Sequence, residues 1–304
     1  MKTDLKVKLG KLILKNPVMV ASGTFGYAQE FEDFMDLKKL GAVVTKTITI
    51  KPRKGNTPPR TCETPSGMLN SIGLENPGAD DFIKNKVPYL ASLGIPVIVS
   101  ISSEENPDEF IYLAKKLDKI KCVSALELNI SCPNMQKHSL IAQDAKATFA
   151  VVSAVRKATQ KTVITKLSPN VTDITEIACA AQKAGSDALA LINTLTGISI
   201  DIQTRKPRLG AGPGGLSGPA IRPVALNMVR QTYKEVKIPI IGMGGIMDTQ
   251  SALEFFIAGA GAISIGTANF INPRITIEII NGLERYCREN KIGAIKELTG
   301  SLGC

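Results

Sequence analysis

The run Glu127-Leu128-Asn129-Ile130-Ser131-Cys132-Pro133-Asn134 places a thiol between two carboxamides, just past an apolar stretch, Ser124 to Leu128, that predicts a strand. A cysteine so placed suits proton transfer beside a ligand oriented by Asn129 and Asn134, although a free cysteine ordinarily packs as a small apolar residue. An unperturbed thiol of pKa about 8.5 is only about 3% thiolate at pH 7, so a reaction that uses it as base quickens with pH unless the site lowers that value. Lys46 and Lys166 each end an apolar run. One such lysine would by default snorkel to solvent; two at one mouth point to cations placed to hold an anion or stabilise a reduced ring. Gly242-Met243-Gly244-Gly245 and Gly266-Thr267 also follow apolar runs, where backbone N–H groups can hold a phosphate. The glycine-rich stretch from Gly210 to Gly218 has no strand before it and a helix-opening Pro219 behind it, so it is no dinucleotide fingerprint. It reads as a loop in which Gly218 lets backbone approach a ligand.

The elements that must position these residues alternate along the chain. Candidate strands are Pro17 to Val20, Ala42 to Thr45, Pro96 to Ser100, Ser124 to Leu128, Val163 to Lys166, Ala188 to Ile192, Pro239 to Ile241 and Ala262 to Ile265. Helical patterns cover Gln29 to Leu40, Ala79 to Ser92, Pro107 to Lys119, Asp144 to Ala158, Asp173 to Ala184, Pro219 to Tyr233, Thr249 to Ala258 and Pro273 to Glu289. Asp173 and Gly185 supply start and stop signals for one of them. Eight strand-helix units in 304 residues predict an α/β fold, the (β/α)8 TIM barrel, as one domain over residues 1–304; a doubly wound open sheet is the alternative. A short N-terminal β-hairpin, Leu5 to Leu9 with Lys11 to Leu14, precedes it. A barrel gathers its active site at the C-terminal strand ends, which here carry small and polar residues throughout. The long connection from Lys46 to Gly78 mixes apolar residues with carboxamides, as an inserted substrate-binding wall would.

Composition excludes several classes. No apolar stretch reaches the roughly 18 residues of a membrane span, and the N-terminus has no apolar signal core, so the expectation is a soluble cytoplasmic protein. Six scattered cysteines without a CxxC pair, and a single histidine, His138, leave no ligand set for zinc or an iron-sulfur cluster, so no metal is expected. His138 reads as a solvated loop residue. The net charge of +10 raises nucleic-acid binding, but the basic residues are dispersed, with no Trp and five Tyr for stacking. A basic surface or an anionic ligand site fits better.

The runs LNISCPN, SGMLNSIGLENPG, KLSPNVTDI, INTLTG, GGLSGPAI and PIIGMGG occur in this order, and from about Leu12 to Phe270 the chain resembles class 1 dihydroorotate dehydrogenases, most closely the NAD-linked type B catalytic subunit. The resemblance implies one FMN held by Ser22, Gly23, Lys46, Thr47, Ser100, Asn129, Lys166, Ile192, Gly218, Gly244 and Gly245, with Gly266 and Thr267 at its phosphate. It implies dihydroorotate held by Lys46, Asn70, the backbone of Ser71, Ile72, Gly73 and Leu74, and by Asn129, Asn134, Asn193 and Thr194. Cys132 is then the base at C5 while a hydride leaves C6 for the flavin, and Lys166 stabilises negative charge on the N1 side of the ring. A homodimer joined to a subunit carrying FAD and 2Fe-2S, which passes electrons to NAD, is implied as well. Thr194 and the stretch Leu195 to Leu209 favour type B over a fumarate-linked enzyme. Ser100 stands where the type B pattern has asparagine, and Met135 to Leu140 lacks the usual Gly-Gly and Phe-Gly. Rival readings are a dihydropyrimidine dehydrogenase-like barrel, a tRNA-dihydrouridine-type FMN barrel and a non-catalytic anion-binding barrel.

Overall fold

A computed structural model describes residues 3–104, 106–130 and 141–303. Its centre is a sheet of eight parallel strands: β1 (Val18–Val20), β2 (Val43–Val44), β3 (Val97–Ile101), β4 (Val123–Asn129), β5 (Thr162–Lys166), β6 (Ala188–Leu191), β7 (Ile240–Gly242) and β8 (Ala262–Ile265). Each strand pairs with its neighbour in sequence, and β8 returns to β1 through Ile263–Val18 and Ile265–Val20. A parallel bridge between Met19 and Ala42, with the Gly41 N–H donating to the Val18 carbonyl at 2.9 Å, closes the circle between β1 and β2. The barrel predicted from sequence is therefore the fold, and the open sheet is not.

Alternation along the strands explains why the barrel closes. On β4, Ala125 packs with Met19, Ile98, Ile164, Ala190 and Ile241 in the barrel interior, while Leu126 and Leu128 join the larger cluster between the barrel and its helices. A strand covered on both sides needs apolar side chains on both faces, which is why β3 reads Val-Ile-Val-Ser-Ile and is buried throughout. The hairpin of Val7–Leu9 and Leu12–Leu14 turns at Gly10, whose φ is 57°, and inserts Leu9, Leu12 and Leu14 beneath the interior cluster. It plugs the N-terminal end of the barrel and leaves the other end open.

The helices follow the apolar periodicity. Ile275, Ile279, Leu283 and Cys287, spaced one turn apart, are the buried stripe of the helix Ile275–Glu289. Asp144, Asp173 and Asp248 cap the helices that follow them by accepting backbone N–H bonds from Ala147, Thr175 and Ser251. The segment from Gln29 to Leu40 departs from expectation, forming two short 3-10 turns, Gln29–Phe31 and Leu37–Lys39. Asp36 accepts the Lys38 N–H at 3.0 Å, offering the backbone a local turn in place of a continuous helix.

A second departure lies over the open end. Leu195–Gly197, Gly214–Ser217, Gly67–Asn70 and Thr61–Thr64 form an antiparallel four-stranded sheet in that spatial order. The loop expected around Gly210 to Gly218 is thus in part a central strand. Glycine is required there: a Cβ on Gly214 would stand 2.6 Å from the Asn70 carbonyl oxygen.

Candidate active site

The C-terminal strand ends and the small sheet enclose a cavity of about 510 Å³. β1 delivers Ser22 and Gly23, β2 Lys46 and Thr47, β4 Asn129, β5 Lys166, β6 Ile192, Asn193 and Thr194, β7 Gly244 and Gly245, and β8 Gly266 and Thr267. The small sheet adds Met68, Asn70, Gly214, Gly215 and Ser217 from above. Asn70 is oriented by donating to the Gly215 carbonyl at 3.2 Å.

One side of the cavity is a hydrogen-bonded relay. Thr47 Oγ1 lies 3.1 Å from Ser22 Oγ and 2.9 Å from Ser100 Oγ, and it accepts from Asn129 Nδ2 at 3.3 Å. Asn193 Nδ2 donates in turn to Asn129 Oδ1 at 3.4 Å, and Ser102 Oγ to the Asn129 carbonyl at 3.0 Å. Five strand ends, those of β1, β2, β3, β4 and β6, are tied together in this way, so the donors and acceptors facing the cavity keep fixed directions.

The two lysines sit in different surroundings. Lys166 is 5% exposed, with Nζ 4.0 Å from Glu127 Oε1 on the neighbouring strand. Lys46 Nζ lies 3.7 Å from Glu75 Oε2, which also receives Arg60 Nη1 at 2.9 Å. Lys46 therefore faces the cavity beside a half-exposed carboxylate that it shares with a second cation.

The wall from Asn70 to Leu74 belongs to the long connection, and Asn76 fastens it. Asn76 Oδ1 accepts from the N–H groups of Thr49 at 3.2 Å and Gly78 at 2.8 Å, while Nδ2 donates to Thr49 Oγ1 and the Leu74 carbonyl at 2.8 and 2.7 Å. What sequence presents as a long irregular stretch is a hairpin followed by a pinned turn.

Nearly every residue singled out from sequence and present among the described residues lines this one cavity. Ser100 does not; fully buried, it stands behind Thr47 and reaches the cavity only through that hydroxyl. Cys132 and Asn134 lie outside the described residues, as does His138. Sequence reasoning passed over Ser217, Met68, Met247 and Phe270, which also line the cavity. Ser217 was findable, since it precedes Gly218; its hydroxyl accepts from Thr267 Oγ1 at 2.8 Å. Met68, Met247 and Phe270 carry no local signal that separates a cavity wall from core. Among the described residues no cluster of three or more His, Cys, Asp or Glu side chains forms a metal site, and no helix is long and apolar enough to cross a membrane.

The glycine loops fit a phosphate. Among the described residues, the backbone N–H groups of Gly244, Gly245, Gly266 and Thr267 are paired with no protein acceptor. Gly23 opens onto free space, and a Cβ there would meet nothing within 4 Å. Converging N–H groups, two cationic side chains and carboxamides beside apolar Ile192 and Met243 make a site for a flat, amide-rich ring with an anionic tail.

Fold and site together define a (β/α)8 barrel whose mouth gathers glycine loops, two lysines and carboxamides, a lining that suits a phosphate group and a small polar anion. Comparison with known proteins narrows that class. The family model described as dihydroorotate dehydrogenase matches residues 4–287, and the chain belongs to that family. It is 53% identical over 303 residues to the dihydroorotate dehydrogenase B (NAD(+)) catalytic subunit of Trichlorobacter lovleyi, covering 99% of each chain. The proteins of the same name from Desulforamulus reducens and Geobacter sulfurreducens are 54% and 51% identical over 302 residues, again across 99% of each chain.

Proposed function

We propose that this chain oxidises (S)-dihydroorotate to orotate, with FMN as its one bound cofactor, and that the electrons go on to NAD through a separate subunit carrying FAD and 2Fe-2S. The observation that carries the reading is the convergence of Lys46, Asn70, Asn129, Asn193 and Thr194 on the cavity that also receives both glycine loops. A carboxylate on an amide ring asks for one cation and several carboxamides, and this wall supplies them. The names of the relatives, each an NAD-linked catalytic subunit, support the acceptor and the partner.

In this reading Gly244, Gly245, Gly266 and Thr267 hold the phosphate through backbone N–H groups, with Ser22, Gly23, Lys46, Thr47, Asn129, Lys166, Ile192 and Gly218 along the rest of the cofactor. Ser100 contributes by orienting Thr47. Bound there, FMN supplies the hydride acceptor. Lys46 and the carboxamides of Asn70, Asn129, Asn134 and Asn193, with Thr194 and the Ser71 to Leu74 backbone, fix the substrate ring. Cys132, three residues beyond Asn129 in the chain, takes the C5 proton as thiolate. The buried ammonium of Lys166 would stabilise negative charge on the flavin. Roughly 10²- to 10⁴-fold of rate is the usual worth of a positioned base. The working unit is a single-domain cytoplasmic chain, paired as a homodimer and joined to two electron-transfer subunits.

The test is anaerobic stopped-flow reduction of the purified yellow protein by dihydroorotate, beside Cys132→Ser. Rapid bleaching in the native chain and a loss of at least about 100-fold in the variant are expected. Bound flavin that dihydroorotate fails to bleach would overturn the assignment and turn attention to dihydrouracil and tRNA as substrates.

A further inference from the structure

One layer below the cavity wall the barrel buries a carboxylate that none of the roles above uses. Glu127 on β4 is 2% exposed, and its Oε1 has no hydrogen-bond partner among the described residues. Its nearest opposite charge is Lys166 Nζ, 4.0 Å away. The register sets Glu127 beside Ile164 and Ser100, whereas Lys166 is level with Asn129, one step nearer the mouth. Elsewhere the interior is filled by Met19, Ile98, Ala125, Ile164 and Ile241.

An acid stripped of water at this depth is a poor packing choice. An apolar side chain of similar volume usually serves stability as well or better, and a buried pair with an unmade hydrogen bond recovers only part of its desolvation cost. Packing therefore does not explain Glu127, and its position against the one cavity lysine that is almost fully buried does.

We propose that Glu127 is a positioning residue for Lys166, tethering the ammonium at the cavity wall and offsetting part of its field at the bound cofactor. The proposal rests on the reading of Lys166 as a flavin neighbour. A lone buried cation against the ring favours the anionic reduced form. With the carboxylate on the far side of Nζ, the pair acts as a short dipole with its positive end toward the cavity, and its pull fades faster with distance than that of an isolated charge.

The test uses the full-length holoprotein with Glu127→Gln and Glu127→Asp. The readouts are the affinity for sulfite, which adds to flavin as an anion and reports the positive field, and the midpoint potential. Glu127→Gln should bind sulfite about tenfold more tightly with a potential raised by about 30 mV, the two-electron equivalent of that factor, while Glu127→Asp stays near native. Thermal melts test the tether separately: the Glu127→Gln/Lys166→Met double variant should melt above the Lys166→Met single variant, which leaves a lone buried carboxylate. Unchanged or weaker sulfite binding in Glu127→Gln, in a native background that binds flavin normally, overturns this proposal alone. A native chain that takes up no flavin overturns the functional reading as well, and is recognised by the absence of a sulfite signal in every protein.

Discussion

Thr47 Oγ1 and Ser100 Oγ lie 2.9 Å apart on neighbouring barrel strands, and only Thr47 reaches the cavity. The Ser100 hydroxyl is fully buried and its effect on any ligand passes through its neighbour. Ser100→Ala should therefore cost about 1 kcal/mol of stability and weaken FMN binding only severalfold, with Thr47→Val costing more of both. Urea denaturation and flavin titration of the two variants check the order.

Asn76 is 5% exposed and makes four hydrogen bonds that pin the turn behind Asn70 to Leu74. Asn76→Ala strands buried backbone donors, each worth about 1–3 kcal/mol. The expected result is a destabilisation of about 3 kcal/mol and a raised KM for dihydroorotate, from a residue that does not line the cavity. Steady-state kinetics beside a denaturant series would show it, and an unchanged KM would mean that the wall keeps its shape without the pin.

Glu75 Oε2 lies 3.7 Å from Lys46 Nζ and 2.9 Å from Arg60 Nη1. An incoming anion must compete with that carboxylate. Since the pair is partly exposed, breaking it changes stability by less than about 1 kcal/mol, but Glu75→Gln should tighten orotate binding about threefold. Equilibrium titration of orotate at low and high salt measures this, and the gain should shrink as salt screens the charges.

Asp248 caps the helix Thr249–Ala258, just past the glycine loop of β7. The Ser251 backbone N–H holds its carboxyl below the ordinary carboxylate range, partly opposed by desolvation, with the Ser251 hydroxyl and Arg222 adding to the lowering. A depressed acid contributes stability that is fully present above its unfolded pKa, about 3.9, and is lost as pH falls through the folded value. Asp248→Ala should cost about 1 kcal/mol at neutral pH, and the gap to the native chain should narrow below about pH 4. Thermal melts from pH 7 to pH 3 trace that convergence.

The periodic elements were legible because their signals are local. Strands buried on both faces read as short apolar runs, and helices such as Ile275–Glu289 as stripes spaced by one turn. Those signals fix the barrel, and barrel topology fixes which end gathers the polar residues, so Lys46, Asn129, Lys166 and the two glycine loops could be placed at one mouth from sequence. The ordered motif runs carried the resemblance to the family to which the chain belongs, and that resemblance is what implies a role for Cys132, a residue outside the described ones.

Other features depended on contacts between distant segments. Gly214–Ser217 is a strand only because Asn70 and Leu195 flank it, and a glycine-rich run shows no strand propensity alone. Gln29 to Leu40 has a helical pattern that a local Asp36 turn interrupts. The withdrawal of Ser100 behind Thr47, the pinning of the wall by Asn76 and the pairing of Glu127 with Lys166 are distances across strands and loops. A one-dimensional pattern tells which residues are polar and where along an element they stand; which of them face a ligand, and which face one another, is decided when the sheet closes and sets their side chains at fixed separations.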